Sequence, residues 1–285
     1  MKKVLVIGCK GMAGHLVKHY LESTQNYDVW GIARGVEAQK NLINLDVSNT
    51  KEIENILNKG AFDIVLNCIG LLNKTAEDNP QLAIWFNSYF PHLLSSLGEK
   101  YSFKLIHIST DCVFSGKEGP YKEDSFKNGI GVYAQSKALG EVINSKDLTF
   151  RTSIIGPELK VNGIGLFHWF MSQKNRIEGF TKAVWSGITT LDLAKAIDWA
   201  ITNEIIGLYH LTNNKSINKN ELLNLFKKHT NKNIEIDEVD GKEVDKSFID
   251  TRRLINYQIP NYEIMIKDMI QYINKNKSKY PYYHC

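Results

Sequence analysis

The sequence predicts an α/β fold, a doubly wound parallel sheet with a smaller C-terminal part that returns to it. Three observations predict this. Short apolar runs rich in β-branched residues recur at intervals that leave room for helices. A glycine-rich turn leads from the first run directly into a helical pattern. Past Ile155 the rhythm gives way to a segment dense in aromatic residues and glycine. With 285 residues, 43% of them hydrophobic, the chain suits one large domain or two smaller ones. That length and composition exclude a disordered chain or a disulfide-stapled miniprotein.

The strand-like runs are residues 4–8, 28–33, 41–47, 63–70, 104–109 and 148–155. Each is nearly continuous in apolar character, as strands covered on both faces by helices must be. Beyond them lie Phe167, Trp169, Phe170, Phe180 and Trp185. A helix then begins near Thr190, where Thr189 or Thr190 can cap it and Leu191, Ala194, Ile197 and Ala200 form its apolar stripe. A further strand at 207–211 precedes a helix capped at Asn218, with Glu221 three residues on.

Charge and cysteine usage narrow the class. The net charge of +4 is mild, and part of the excess sits in a lysine-rich tail at Lys275, Lys277 and Lys279, so no basic stripe marks a nucleic-acid binder. Cys9, Cys68, Cys112 and Cys285 lack metal-finger spacing, which argues for a reducing compartment and against a structural metal. The apolar run after Met1-Lys2-Lys3 is shorter than a signal core of roughly 7–15 residues, and no stretch reaches the roughly 20 apolar residues of a membrane span. A cytoplasmic protein is expected.

The first strand ends in Gly8-Cys9-Lys10-Gly11-Met12-Ala13-Gly14. Glycines here permit a tight turn, close approach of a pyrophosphate and close helix–strand packing, while the helix N-terminus offers amide donors. Gly8, Lys10, Gly11, Met12 and Gly14 are the cofactor-binding candidates of this turn. An acidic residue at the end of the second strand would hold the ribose 2′-hydroxyl of NAD. The chain has Ala33-Arg34-Gly35 there, and Lys10 in the turn. Two cations and no carboxylate favour NADP(H) over NAD(H); a solvated Arg34 is the plain alternative. Asp46-Val47 either contacts the adenine or begins a turn.

Tyr133 and Lys137 lie one helical turn apart. About one such pair is expected by chance in a chain this rich in both types, so position decides. The pair follows a strand ending Ser109-Thr110-Asp111, which brings a hydroxyl, a phenol and an ammonium together. Thr110 would hold a substrate carbonyl and Tyr133 donate the proton. A nearby lysine and a positive nicotinamide would lower the phenol's pKa from near 10.

Taken together, Gly8–Gly14, Asn67-Cys68-Ile69-Gly70, Asn87 with Pro91, and Tyr133 with Lys137 resemble the extended short-chain dehydrogenase/reductases. Ser109-Thr110-Asp111-Cys112-Val113-Phe114-Ser115-Gly116 and Arg151-Thr152-Ser153 resemble more narrowly the dTDP-4-dehydrorhamnose reductase-like nucleotide-sugar reductases. The resemblance implies a Rossmann domain over 1–157, with 186–211 returning to it, and a substrate-binding lobe mainly over 158–285. It implies NAD(P)H-dependent reduction of a nucleoside-diphosphate-linked 4-keto-6-deoxyhexose for a bacterial surface glycan. By the same resemblance Thr110, Tyr133 and Lys137 are catalytic, and Cys68, Ile69, Gly70, Leu71, Asn87 and Ser109 serve the cofactor. Asp111, Cys112, Val113 and Phe114 would face the substrate. A homodimer through a helix pair is the assembly common among such proteins.

Position 112 separates related chemistries. Dehydratases of this superfamily carry glutamate there and the rhamnose-type reductases usually tyrosine, so Cys112 departs from both. A cysteine at this spacing serves 3,5-epimerase/4-reductases of the GDP-fucose synthase type, which also need a second acid; His168 is the nearest candidate. A small apolar side chain packed below the site is the alternative. Arg176 and Lys182 suit a diphosphate or are solvated loop charges. Trp185 packs on a sugar or base, or in the core. A non-catalytic NADP-binding regulatory subunit is the reading from another class, and the retained Tyr133, Lys137 and Thr110 argue against it.

Overall fold

The structure, a computed structural model, describes residues 1–252, 257–283 and 285. In chain order it opens with β1 (Lys2–Ile7), α1 (Met12–Thr24), β2 (Tyr27–Ala33), β3 (Leu42–Asn44), α2 (Thr50–Gly60) and β4 (Ile64–Asn67). It continues with α3 (Asn73–Asp78), α4 (Pro80–Ala83), α5 (Phe90–Tyr101), β5 (Lys104–Thr110), α6 (Val132–Leu139) and β6 (Leu148–Thr152). Then come β7 (Ile154–Ile155), α7 (Leu166–Ser172), β8 (Arg176–Phe180), β9 (Ala183–Trp185), β10 (Ile188–Thr189), α8 (Thr190–Thr202) and β11 (Gly207–His210). The last are β12 (Ile217–Asn218), α9 (Lys219–Thr230), β13 (Glu235–Val239), β14 (Val244–Asp245) and α10 (Tyr262–Lys275).

Among the described residues the central sheet has seven strands in the order β11-β6-β5-β4-β1-β2-β3, and every pairing in it is parallel. Period-two alternation explains its two cores. Val4 and Val6 of β1 face Leu16, Val17 and Leu21 of α1 and Leu193, Ala194 and Ile197 of α8. Leu5 and Ile7 face the other way, toward Ile53 and Leu57 of α2 and Leu94 and Leu97 of α5. Strand order reverses between β1 and β4, which opens a crevice at their C-terminal ends, where ligands of such sheets bind.

Three expected strands are clearly shorter than their apolar runs, among them the fourth, which keeps only Ile64–Asn67 of 63–70. The third keeps only Leu42–Asn44, because the Asp46 side chain accepts the Ser48 amide at 3.0 Å and turns the chain. The run at 148–155 divides at Ser153: Leu148–Thr152 stays in the central sheet, and Ile154–Ile155 pairs with Ile188–Thr189. The two expected caps form. Thr189 accepts the Asp192 amide, and Asn218 with Glu221 makes a reciprocal capping box. After α8, β11 lies beside β6 at the sheet edge.

The remaining C-terminal part has small sheets of its own. β8 pairs with β13 in parallel, and β9 lies between β12 and β14. The chain end is tied back through tyrosines: Tyr280 Oη is 2.9 Å from His15 Nε2 on α1, and Tyr283 Oη is 2.7 Å from His168 Nδ1. Among the described residues no helix is long and apolar enough to cross a membrane.

Candidate active site

The glycine turn is built for a close ligand. Gly8 has φ +82°, which glycine adopts freely. A Cβ on Gly14 would stand 2.3 Å from the Gly8 carbonyl oxygen, so α1 can pack this close only with glycine there. Gly11 N-caps α1 with no side-chain hydrogen bond, which leaves the first-turn amides and the positive end of the helix dipole to an anion. Gly8, Lys10 and Gly11 line a cavity of about 300 Å³ with Arg34, Asp46, Val47, Ile69, Gly70 and Leu71. These residues fit the pyrophosphate and adenosine of a dinucleotide. Arg34 Nη1 is 3.4 Å from Asp46 Oδ2, both at the surface. The Ser48 amide, then Arg34, hold the Asp46 carboxyl below its ordinary value. Asp46 is thus both a turn residue and a lining residue. Lys160 adds a further cation to this cavity, and no motif around it marks it out.

Asn87 acts from behind the wall rather than in the cleft. It is fully buried in a π-helical turn (Ile84–Tyr89) between α4 and α5. Its Oδ1 accepts the Leu71 amide at 2.8 Å, while Nδ2 donates to Leu71 O and to Ser136 Oγ. It clamps the loop after β4 against α6 and lines neither cofactor-side cavity.

A second cavity, about 350 Å³, continues from the first. Gly11, Met12, Cys68, Ile69, Gly70, Ser109, Thr110, Asp111, Cys112, Tyr133 and Lys137 all line it. The hydroxyl of Thr110 donates to Asp111 Oδ1 at 3.1 Å and accepts the Cys112 amide at 3.2 Å, and it lies close enough to the Tyr133 phenol to favour the phenolate. Lys137 Nζ donates to the Ile108 carbonyl at 2.7 Å, and burial lowers its pKa to about 8 against the pull of Glu141. The expected lowering of Tyr133 is not what the protein alone produces. Burial raises the phenol, Cys112 and Asp111 add to the rise, and only Thr110 opposes it. Lys137 turns its amine toward β5, so Tyr133 is held protonated, the form a proton donor needs.

The C-terminal candidates divide. Burial pushes the Cys112 thiol up to about 11, with Lys246 partly opposing, so it is a thiol at neutral pH. His168 has both ring nitrogens engaged, by Tyr283 Oη and by Val161 O at 2.9 Å, away from the cleft. Arg176 pairs with Glu235 and Asp237 across the β8–β13 ladder, and Lys182 with Asp240. None of these brings charge to the cleft. Trp185 is 4% exposed and packs on Tyr262. Val113 is buried with Phe114, Tyr121 and Phe248. Instead, Lys117, Lys242 and Lys246 line a third cavity of about 650 Å³ with Cys112, Phe114 and Tyr133. Lys219, desolvated over Trp185, lies within electrostatic range of Asp111 and Cys112. In sequence these lysines look like any others. Among the described residues no cluster of three His, Cys, Asp or Glu could hold a metal.

Behind the cleft lies a buried polar network. Arg151, 2% exposed, holds both oxygens of Glu141 at 2.7 Å and reaches His210 Nε2, also at 2.7 Å. Ser109 donates to Glu141. Glu123 joins the network to Thr251.

With this geometry in place, comparison with known proteins assigns the lineage. The RmlD substrate binding domain family matches residues 1–253. The chain belongs to that family. Two curated relatives of the RmlD-type chain are the probable low-salt glycan biosynthesis reductase Agl14 of Haloferax volcanii and the dTDP-4-dehydrorhamnose reductase of Aggregatibacter actinomycetemcomitans. The first is 29% identical over 158 residues, 53% of this chain and 52% of that protein. The second is 26% identical over 159 residues, 54% and 51%. The chain thus spans about half the length of these curated relatives. A crystal structure of dTDP-4-dehydrorhamnose reductase from Bacillus anthracis in complex with NADP superposes with TM-score 0.80 at 21% identity. It covers 95% of this chain and 99% of its own, which bears out the expected fold. The resemblance read from the motifs is borne out by the RmlD match.

Proposed function

We propose that this protein is an NADPH-dependent reductase of a nucleoside-diphosphate-linked 4-keto-6-deoxyhexose. The observation that carries this reading is one cavity lined at once by the glycine turn, Thr110, Tyr133 and Lys137. The turn and the uncapped α1 terminus would hold the dinucleotide's pyrophosphate, Arg34, Lys10 and Lys160 its adenosine end. Reduced nicotinamide supplies a hydride when bound. Thr110 and Tyr133, which line the same cavity, orient the ketone oxygen; Tyr133 gives its proton to that oxygen as the alcohol forms. Lys137 binds the nicotinamide ribose. Absence of a carboxylate after β2 supports NADP(H) over NAD(H).

The substrate's nucleotide would extend into the lysine-lined third cavity rather than toward Arg176. A plain reductase is favoured over an epimerase–reductase because the Cys112 thiol is raised by burial and His168 is committed to Tyr283. Assembly as a homodimer and a place in surface-glycan precursor synthesis complete the proposal. The test is NADPH oxidation with dTDP-, UDP-N-acetyl- and GDP-linked 4-keto-6-deoxy sugars in D₂O. Oxidation without deuterium at C3 or C5 is expected. Deuterium there would make Cys112 a catalytic base, and bound NADPH without turnover on any sugar would favour a regulatory subunit.

A further inference from the structure

β5 carries a histidine that the reduction described above leaves unused. His107 is fully buried in the middle of the central sheet. An imidazole in that position is costly unless its nitrogens are hydrogen-bonded. Both have neighbours. Nδ1 lies 3.2 Å from Nδ2 of Asn67, its register partner on β4, and Nε2 lies 3.4 Å from Lys137 Nζ.

Asn67 determines which nitrogen carries the proton. Its Oδ1 accepts the Ile69 amide at 3.2 Å, which leaves Nδ2 facing the ring. An amide nitrogen only donates, so His107 Nδ1 is the acceptor and the ring proton sits on Nε2. That N–H is aimed at Lys137 Nζ. An ammonium there has no lone pair to offer and meets the N–H donor to donor. A neutral amine satisfies both contacts, donating to Ile108 O and accepting from Nε2–H. The contact to His107 is also the longer of the two, 3.4 Å against 2.7 Å.

We infer that His107 is a positioning residue for Lys137: held by Asn67 with its proton on Nε2, it favours the neutral amine and keeps this lysine able to exchange a proton near neutral pH. Other groups facing Lys137 are Glu141 beyond the end of α6, whose charge favours the ammonium, and the protonated Cys68 thiol from the loop after β4. His107 is faced in turn by His92 from α5. Glu141 is itself bound by Arg151 and Lys127, which weakens its hold on Lys137. Burial of Lys137 lowers its pKa to about 8, the same direction as the geometry. The functional consequence rests on the proposed roles of Tyr133 and Lys137. Once Tyr133 has given its proton to the substrate oxygen, the ammonium form of Lys137 can reprotonate the phenolate, and the neutral amine left behind, which His107 stabilises, regains its proton from solvent acid.

The direct test is histidine ¹⁵N NMR on the full wild-type chain, with the His107 signal assigned by its loss in His107→Phe. A proton on Nε2 is expected; a proton on Nδ1 overturns the inference. A second test titrates Lys137 through its ¹³Cε resonance. Asn67→Asp converts the donor facing Nδ1 into an acceptor, moves the ring proton to Nδ1 and presents a lone pair to Lys137. The Lys137 midpoint should then rise by about one unit more in the presence of His107 than in the His107→Phe background. That subtraction removes the charge effect of the new carboxylate, and equal rises in both backgrounds would overturn the inference. Neither measurement needs turnover, so failure to oxidise NADPH with any sugar would count against the proposed function alone. Where turnover is found, the pH profile of the oxidation rate should move with the Lys137 midpoint, at unchanged NADPH affinity.

Discussion

Replacing Arg151 with methionine tests how much the buried network beneath the cleft holds the protein together. The guanidinium makes two 2.7 Å bonds to Glu141, one to His210 Nε2, and stacks 5.0 Å from the Phe114 ring. Burial pushes the Glu141 carboxyl up, but Arg151, Lys127 and Ser109 together hold it below its ordinary value. Arg151→Met keeps much of the apolar stem and leaves Glu141, with no exposed side-chain surface, to Lys127 at 3.1 Å and Ser109. Removing one partner of a buried ion pair costs about 3–5 kcal/mol. Unfolding entropy of about 2.1 cal/mol/K per residue gives about 0.6 kcal/mol/K for this length, so the melting temperature should fall by about 5–8 °C. Urea unfolding followed by tryptophan fluorescence at pH 7 reads the same loss as a lower midpoint at unchanged slope. Adding Glu141→Leu should recover at least half of it, because the orphaned charge is gone. A single-variant loss under about 1 kcal/mol, or simple additivity in the double variant, would refute this account of the network.

Three other outcomes follow from the site. Tyr133→Phe should lower turnover about 10²–10⁴-fold while NADPH binding by fluorescence is retained; near-normal turnover would remove Tyr133 from the mechanism. Arg34→Ala should weaken NADPH about tenfold and leave NADH within about twofold, and equal losses for both would show that Arg34 does not read the 2′-phosphate. Acid should destabilise the fold through His210, whose imidazole is pushed down to about 4 by burial and by Arg151. The unfolded chain binds that proton first as pH falls. Its stabilising contribution is therefore whole above about pH 6.5 and lost progressively toward pH 4, up to about 3 kcal/mol. His210→Gln should flatten that part of the stability curve, and an unchanged curve would assign the acid sensitivity elsewhere.

What was legible in the sequence is what local geometry demands of residue type. The turn at Gly8 and Gly14 can be read because a positive φ and a 2.3 Å approach admit glycine and nothing larger. Thr189 and Asn218 can be read as caps because a cap is satisfied within three residues. The strands of the central sheet could be counted but not bounded, and the short strands of the small C-terminal sheets could not be counted either. Whether Ser153 ends one strand depends on Ile188, whose amide donates to its carbonyl from elsewhere in the chain.

Charged residues were the least legible, for one physical reason: a sequence displays cations, whereas a ligand responds to the charge left after neighbours have neutralised them. Arg176 looked suited to a diphosphate, yet its guanidinium faces Glu235 and Asp237, which the parallel pairing of β8 with β13 puts beside it. Lys246 and Lys219 drew no attention, yet they come to Cys112 from β14's end and α9's start. Asn87 and His107 are the polar counterpart. Both fall within apolar stretches, and their partners, Leu71 and Ser136 for one, Asn67 and Lys137 for the other, are set by sheet order and helix docking. The same long-range pairing that hid the role of Asn87, and His107 altogether, gives them their use. Asn87 and His107 stand behind the loop and the lysine that line the cleft: Asn87 fixes the loop at Leu71, and His107, in the role inferred above, sets the charge of Lys137.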